Sequence, residues 1–306
     1  MRVLVFGAGV IGRIYAARLA ATGHQVSILA RGAKAEQLRE SGITLQRGHT
    51  AAEAIYPAVL ETPQEAGEFD VAFVAIRRDQ VGDALADIAT VRARIIVSLV
   101  NLPLGLAGFG AAVGSERFIP GFPGVAGSLD RKGTLHYLEL AQQPTILGNV
   151  GGPAGGVEEV GGLLRSAGMK FRTAEDMATW MQSHAVFISA FESAIVATPG
   201  GVVSLAADRK ATRNAVAAVR EGLRALEARG TRAAPAAVRL IFLSLPLWFA
   251  TAYWRRQLAG DLGRLGLEPH AVATRHTELT QLQDDVLQLM AGTPTPRLDA
   301  LFNAAR

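Results

Sequence analysis

The chain has 306 residues, 49% of them hydrophobic and 19% charged, which is typical of a globular protein rather than a disordered one. It contains no cysteine, and this excludes disulfides, thiolate nucleophiles and cysteine-ligated zinc. The formal net charge is +4, and the arginines are scattered rather than gathered in a stripe with aromatic residues, so we expect no nucleic-acid partner.

Strand-like and helix-like segments alternate in the first half of the chain. Short apolar runs predict strands at 2–6, 25–30, 70–76 and 93–100, and helical spacing predicts helices at 10–22, 33–40 and 79–89. This alternation favours a doubly wound parallel sheet. Further along we expect an edge strand at 117–122, a hairpin of 134–140 with 144–150, a helix at 156–168 and a last strand at 169–174.

From about residue 175 the pattern becomes helical throughout. Alanine, leucine and arginine recur at helical spacing, which predicts helices at 175–197, 203–229, 234–258, 268–291 and 296–305. The expected fold is therefore α/β: an N-terminal Rossmann-type doubly wound parallel sheet, followed by an all-helical C-terminal domain. We place the first domain at 1–173 and the second at 174–306.

One segment of the helical half is apolar enough to raise the question of a membrane. LIFLSLPLWFATAYW (240–254) carries no charge, but it is shorter than the ~20 residues of a spanning helix and contains Pro246. We interpret it as a buried helix or a subunit interface, expect no membrane partner, and expect a homodimer. No secretory signal is visible, so we expect the cytoplasm.

The sequence GAGVIG at 7–12 follows the first predicted strand and opens the first helix. Gly7 allows a tight turn, Gly9 a close approach of backbone to a pyrophosphate, and Gly12 close packing of helix on sheet. Positions 7–12 are therefore candidate cofactor-binding residues: Gly7, Ala8, Gly9, Val10, Ile11 and Gly12. The alternative is a glycine-rich turn without a ligand.

The second predicted strand ends beside Arg31, about 20 residues after the glycines, where an NAD enzyme carries an acid for the ribose hydroxyl. An arginine there would instead pair with a 2′-phosphate, with Lys34 nearby, so we predict NADP(H) as the cofactor. The alternative is a solvated surface arginine. Arg31 also argues against a methyltransferase, whose cofactor ribose normally meets an acid.

Three stretches together resemble the ketopantoate reductase (2-dehydropantoate 2-reductase) family. They are MRVLVFGAGVIGRIYAARLAATGHQVSILARG (1–32), VSLVNLPLG (97–105), and HTEL (276–279) followed by TPTPRLDAL (293–301). The resemblance is strong over 1–35, patchy over 70–150 and weak over 175–275. It implies a Rossmann domain, a helical domain, an active site in the cleft between them, and NADPH-dependent reduction of a 2-oxo acid to a 2-hydroxy acid.

The resemblance also assigns individual residues. The family's asparagine after the fifth strand falls on Asn101, where it would touch nicotinamide ribose and substrate. A family lysine near the cofactor falls on Arg77, a cofactor-contacting alanine on Ala126, and the family's C-terminal glutamate on Glu278. The alternative for Glu278 is a carboxylate on a helix surface.

The family's general acid is missing. It is a lysine two residues after a tryptophan; here Trp180 is present and Gln182 holds the lysine position. His184 can share a helical face with Trp180, so we predict that it replaces the lysine as the general acid. Gln182 or a water molecule could instead hydrogen-bond the carbonyl oxygen of the substrate. The alternative is a histidine packed on tryptophan. Glu192 and Ser193 lie further along this helix, where they could face solvent.

The leading hypothesis is thus an NADPH-dependent reductase of a small-molecule 2-oxo acid, with His184, Gln182, Asn101 and Glu278 as candidate catalytic residues. The second hypothesis is a catalytically impaired NADP(H)-binding sensor or interaction protein. No histidine pair has zinc-ligand spacing, so we expect no metal site.

Overall fold

The computed structural model describes residues 1–48, 50–51, 53–65, 67–140, 143–148 and 152–306. The chain divides into two compact units, the first comprising Met1–Asn101 with Gly105–Met177 and the second comprising Leu102–Leu104 with Ala178–Arg306. The first unit thus runs to Met177, whereas the sequence places the domain boundary at 173/174.

The first unit is built on strands. In chain order they are β1 (Arg2–Phe6), β2 (Gln25–Leu29), β3 (Leu45–Arg47), β4 (Thr50–Ala51), β5 (Ala58–Leu60), β6 (Phe69–Val74), β7 (Ala93–Ser98), β8 (Phe118–Phe122), β9 (Val125–Leu129), β10 (Leu135–Glu139), β11 (Thr145–Gly148) and β12 (Phe171–Ala174).

Eight of these strands form the main sheet, in the order β12-β11-β8-β7-β6-β1-β2-β5. All neighbouring pairs are parallel except β8 with β11. The central strands β1, β6 and β7 are almost continuously buried, as expected when helices cover both faces of a parallel sheet. The predicted fold class is confirmed in this unit.

The helices of the first unit are α1 (Val10–Ala20), α2 (Ala33–Ser41), α3 (Val81–Ala89), α4 (Leu106–Val113) and α5 (Gly156–Ser166). Short 3-10 turns occupy Pro63–Glu65 and Arg78–Gln80. Helix α1 joins β1 to β2, the right context for the predicted glycine loop.

The predicted hairpin of 134–140 with 144–150 is wrong. Strand β10 pairs with β9 and β3 in a second sheet of order β4-β3-β10-β9, whereas β11 pairs with β8 and β12 in the main sheet. Residues 149–150 of the second predicted strand lie outside the described residues. The hairpin partner of β10 is β9. In the turn between them, the side chain of Asp130 accepts hydrogen bonds from the backbone N–H groups of Lys132 and Thr134. Strand β8, predicted at an edge, lies between β7 and β11.

The second unit is helical, which confirms the second half of the predicted fold class. Its helices are α6 (Met177–Ala197, whose first residue belongs to the first unit), α7 (Gly201–Ala207), α8 (Arg209–Ala228), α9 (Ala236–Arg239), α10 (Leu247–Ala259), α11 (Glu268–Thr274), α12 (Glu278–Leu289) and α13 (Pro296–Ala305), with π-helical turns at Leu240–Ser244 and Leu262–Leu267.

Three of the predicted helices are interrupted. Asp208 separates α7 from α8 because its carboxylate caps α8, accepting from the backbone N–H of Lys210 and Ala211. Pro246 lies between the first π-helical turn and α10. Residues 275–277 separate α11 from α12, so 268–291 is two helices rather than one.

The apolar segment 240–254 is only partly buried. Phe242 and Trp254 pack with Phe187 and Phe191 of α6 in an aromatic cluster at the centre of this unit. Trp248 remains 63% exposed. Within the described residues no single helix has the length and hydropathy to cross a membrane, although the pair α6 and α7, bent by 99°, meets those criteria when taken together.

Candidate functional site

The glycine loop between β1 and α1 leaves no room for side chains at two of its positions. Gly7 has φ of 111°, and a Cβ there would lie 2.5 Å from the backbone oxygen of Ala75. A Cβ on Gly12 would lie 1.9 Å from the backbone oxygen of Gly7. The first glycine therefore makes the turn and the third seats the helix against it, as the sequence predicts for a dinucleotide loop.

The middle glycine differs from the other two. Apart from Gly9 and its two chain neighbours, no heavy atom of the described residues lies within 4 Å of the position that a Cβ on Gly9 would take. Gly9 caps α1, and no side chain accepts from the N–H groups of the first turn. Those N–H groups and the positive end of the helix dipole therefore face open space at Gly9, which suits an anionic group. Of the other loop residues, Ala8 is buried, and Val10 and Ile11 are half-buried against the core.

Arg13 supports this loop, and the sequence analysis missed it. Its side chain is buried at 3% exposure; Nε donates to the Ala8 backbone oxygen at 3.0 Å and an Nη to Oε1 of Gln37 at 3.1 Å. Burial lowers the pKa of its guanidinium. The available signal was an arginine directly after the third glycine, within an otherwise apolar stretch of helix.

Arg31 lies where the sequence predicts it, just beyond the end of β2. Its guanidinium pairs with Asp87 of α3 at 2.6 Å and donates to the Glu61 backbone oxygen at 3.2 Å. The two paired side chains are 58% and 38% exposed, so solvent screens the pair and an incoming anion can compete for it. Lys34 is exposed on the first turn of α2.

The remaining predicted cofactor residues lie on strands of the first unit or just after them. Arg77 follows β6 and pairs with both carboxylate oxygens of Asp79, each at 3.0 Å. Asn101 follows β7 and is 8% exposed; its buried Oδ1 has no hydrogen-bond partner among the described residues. A buried acceptor without a donor is costly, and a ligand hydroxyl would satisfy it. Ala126 lies in β9, which packs against α1.

In the second unit, α6 presents the residues predicted to replace the family lysine. Trp180 and His184 stack with ring centroids 5.0 Å apart and planes 8° apart, on one face as their spacing predicts. Gln182 is half-buried. His184 is 9% exposed, and burial, together with the charge of His270, lowers its pKa to about 3. At neutral pH its imidazole is uncharged and is not the strong proton donor that an imidazolium would be.

His270 of α11 lies between two carboxylates, an arrangement that sequence analysis did not foresee. Its Nδ1 is 2.7 Å from Oε1 of Glu192 in α6, and its Nε2 is 3.1 Å from Oε2 of Glu278, the first residue of α12. Neutral imidazole has a single N–H, so carboxylates at both nitrogens favour the imidazolium. Burial opposes that charge, but the two carboxylates outweigh it and raise the pKa of His270 well above its usual value.

The two carboxylates are buried while the imidazole is partly accessible. The side chains of Glu192, Glu278 and His270 are 1%, 8% and 42% exposed. Oε2 of Glu192 is buried without a hydrogen-bond partner among the described residues. The alternative that Glu192 and Ser193 face solvent is wrong, because α6 turns both toward α11 and α12, where the Ser193 hydroxyl accepts from Gln283 at 2.9 Å.

Sequence signals for this cluster were weak. Glu192 and His270 are 78 positions apart, and each belongs to a different helix. Within the part of the chain that the structure describes, no group of three or more histidine, aspartate or glutamate side chains is arranged to hold a metal ion. A carboxylate at each imidazole nitrogen instead suits the cluster to holding a proton on His270.

Comparison with known proteins adds a family and a fold. Residues 3–152 match the family model for ketopantoate reductase PanE/ApbA. An uncharacterized oxidoreductase of Bacillus subtilis (strain 168), YkpB, is 28% identical over 147 residues, which are 47% of this chain and 47% of that protein. The matched region thus spans about half the length of that curated relative.

Two solved structures resemble the chain over almost its whole length. D-mandelate dehydrogenase, solved with NADH and anilino(oxo)acetate, has a TM-score of 0.78 at 15% identity, covering 100% of this chain and 97% of that one. The 2-dehydropantoate 2-reductase of Methylococcus capsulatus has a TM-score of 0.71 at 20% identity, covering 99% and 95%. At these identities the likeness establishes the fold. The match of residues 3–152 confirms the predicted resemblance to the ketopantoate reductase PanE/ApbA family over that part of the chain.

Proposed function

We propose that the chain is an NADPH-dependent reductase of a small 2-oxo acid, similar to 2-dehydropantoate 2-reductase, and that it reduces the ketone to a 2-hydroxy acid. The observation that carries the proposal is the glycine loop, open at Gly9 and closely packed at Gly7 and Gly12. A dinucleotide pyrophosphate needs this combination of close backbone approach and unpaired N–H groups at a helix start. When bound, the reduced nicotinamide supplies the hydride.

Arg31 is the residue that supports NADPH over NADH. Its guanidinium is more than half exposed at the end of β2, and it can exchange the Asp87 carboxylate for a 2′-phosphate. Asn101 would serve at the other end of the cofactor. Its orphaned Oδ1 can accept a hydrogen bond from a ribose hydroxyl or from the hydroxyl of the product.

His270 is the group we propose as proton donor. The reaction adds a hydride to the carbonyl carbon and a proton to the carbonyl oxygen. His270 can give the proton on Nε2 and keep the N–H that donates to Glu192, so that the neutral imidazole left behind is still hydrogen-bonded. Glu278 would position the imidazole of His270 through its contact with Nε2. The side chain of His270 is 42% exposed, which allows it to recover a proton from solvent.

His184 and Gln182 keep supporting roles in this proposal. The uncharged His184 packs on Trp180 and places an imidazole near His270 without a second positive charge. Gln182 can donate an amide hydrogen bond to a carbonyl oxygen, although it cannot supply a proton.

The proposal is tested by titrating the purified protein with NADPH and NADH and following nicotinamide fluorescence. A panel of 2-oxo acids that includes 2-dehydropantoate is then added, and the loss of nicotinamide absorbance is recorded. We expect tighter binding of NADPH and turnover of at least one acid. Failure to bind either nucleotide would overturn the proposal.

Gln182 at the lysine position favours one other function, a sensor or interaction protein that binds NADP(H) without catalysis. The same experiment separates the two functions. Tight NADPH binding with no turnover of any 2-oxo acid, in a protein whose His270→Asn variant behaves identically, would support the sensor.

A further inference from the structure

The second unit contains a cavity whose lining includes no residue of the glycine loop or of the His270 cluster. It lies along one face of α8 and has a volume of about 470 Å³. The first residue of α10 and residues just before and in the first turn of α13 complete its lining. The residues that line it are Arg213, Asn214, Ala217, Arg220, Glu221, Arg224, Ala225, Ala228, Leu247, Thr293, Pro294 and Arg297.

Positive charge dominates this lining. Its four arginines and one glutamate give a formal charge of +3. Among the described residues, no carboxylate forms an ion pair with Arg213, Arg224 or Arg297. These three side chains are exposed, so their guanidinium groups are available to an anion that enters the cavity.

Arg220 is fixed in place by the backbone. Its guanidinium donates to the backbone oxygens of Phe242 and Leu245 in and after the first π-helical turn. Burial and the nearby charge of Arg224 lower the pKa of Arg220. The positive charge of Arg220 is therefore held in the lining by backbone carbonyl groups, next to the like charge of Arg224.

The single carboxylate of the lining is already used. Oε2 of Glu221 accepts the backbone N–H groups of Arg297 at 2.8 Å and Leu298 at 3.1 Å, at the start of α13. It stabilises a helix end there, and the arginine side chains gain no partner from it. Leu247 of α10, together with Ala217 and Ala225 between the arginines of α8, adds apolar surface to the lining.

We infer that this cavity binds an organic phosphate carrying at least two negative charges. The guanidinium fork matches phosphate oxygens, and several forks around one volume favour a multivalent anion over chloride. The apolar part of the lining suits the carbon portion of such a ligand. This site does not depend on the proposed reductase activity.

The probe is inorganic pyrophosphate, titrated calorimetrically at constant ionic strength. The glycine loop also offers a phosphate site, so all titrations use the Gly9→Val chain, in which that loop is blocked. We expect one site, weakened at least about tenfold by Arg224→Gln or Arg213→Gln through the loss of charge-assisted hydrogen bonds. Arg264→Gln removes the same charge from an exposed position outside the cavity and should change the affinity less than about twofold.

Further arms of the titration separate the chemistry. Arg224→Lys should recover only part of the affinity, since lysine keeps the charge without the fork. Phenyl phosphate should bind more tightly than inorganic phosphate if the apolar part of the lining contacts carbon. The inference is overturned if pyrophosphate does not bind, if Arg264→Gln loses as much affinity as Arg224→Gln, or if citrate binds more tightly than pyrophosphate. Circular dichroism of each variant identifies any loss that comes from unfolding.

Discussion

The glycine loop of the first unit and the histidine cluster of the second are organised in opposite ways. The loop takes its geometry from six consecutive residues, and its interactions come from backbone N–H groups and from space where side chains are absent. The cluster takes three side chains from three helices, and its properties come from buried charge. A cofactor loop of this kind depends on a short stretch of sequence. The protonation of His270, in contrast, depends on how the helices of this chain pack together.

His184 and His270 show the same contrast within one unit. Burial disfavours the charged form of both rings. His270 has a carboxylate at each of its two nitrogens, and they reverse the direction of its pKa shift. Carboxylate partners, rather than the degree of burial, thus decide which histidine is charged at neutral pH.

The largest expected effect comes from His270→Asn, which removes the proposed proton donor. We expect kcat to fall by about 10²- to 10⁴-fold, with NADPH affinity unchanged. His184→Asn is the matched control and should lower kcat far less. Equal losses in the two variants would show that the histidines are not distinguished by their charge.

Gly9→Val tests the loop in the same way. Open space around Gly9 allows the variant to fold, but the new side chain should lower NADPH affinity at least about 100-fold by displacing the pyrophosphate from two or more N–H donors. Thermal unfolding should be nearly unchanged, in contrast to Gly12→Val, whose Cβ would overlap the Gly7 backbone oxygen. Unchanged NADPH affinity in Gly9→Val would show that the glycine loop does not bind the cofactor.

Arg31→Gln tests cofactor choice. The ratio of NADPH to NADH affinity should fall about tenfold, the size expected for losing charge-assisted hydrogen bonds to the 2′-phosphate. Asp87→Asn should have the opposite effect, because it removes the carboxylate that now pairs with Arg31. Arg172→Gln, an exposed arginine on β12, is the control for charge alone. If none of the three substitutions alters the ratio of NADPH to NADH affinity, Arg31 is an ordinary surface residue with no part in cofactor choice.

The last prediction concerns stability in acid, and it does not involve the cofactor. Below pH 6.5 the unfolded chain protonates His184, while the folded chain resists protonation down to about pH 3. The free energy of unfolding should therefore decrease as the pH is lowered through this window. His184 should contribute a decrease of about 1.4 kcal/mol for each pH unit. His184→Phe should flatten the slope in chemical denaturation at pH 4 to 6 (about the middle of the window). A slope that is the same in both proteins would contradict the buried, neutral ring.

The sequence predicted best where backbone geometry is local. Gly7, Gly9 and Gly12, the strands beside them and Arg31 lie where their spacing put them. Partners across the sheet were harder, since nothing near 134–140 showed that β10 pairs with β3 as well as β9.

The candidate donor was harder still. His270 and His184 belong to separate helices, and the carboxylates that distinguish them meet only after α6, α11 and α12 pack together. Periodicity could place Trp180 and His184 on one face, but it carried no information about which ring would meet a carboxylate.

The most direct test of the account is the pH dependence of kcat for the wild-type chain and Glu192→Gln. Catalysis by protonated His270 should persist at neutral pH and fall on the alkaline side, because the carboxylates raise the pKa of that ring well above 6.5. Glu192→Gln keeps a hydrogen-bond acceptor but removes a negative charge, so the alkaline limb should move to lower pH. An alkaline limb at the same pH in both proteins would contradict the assignment of His270 as the proton donor.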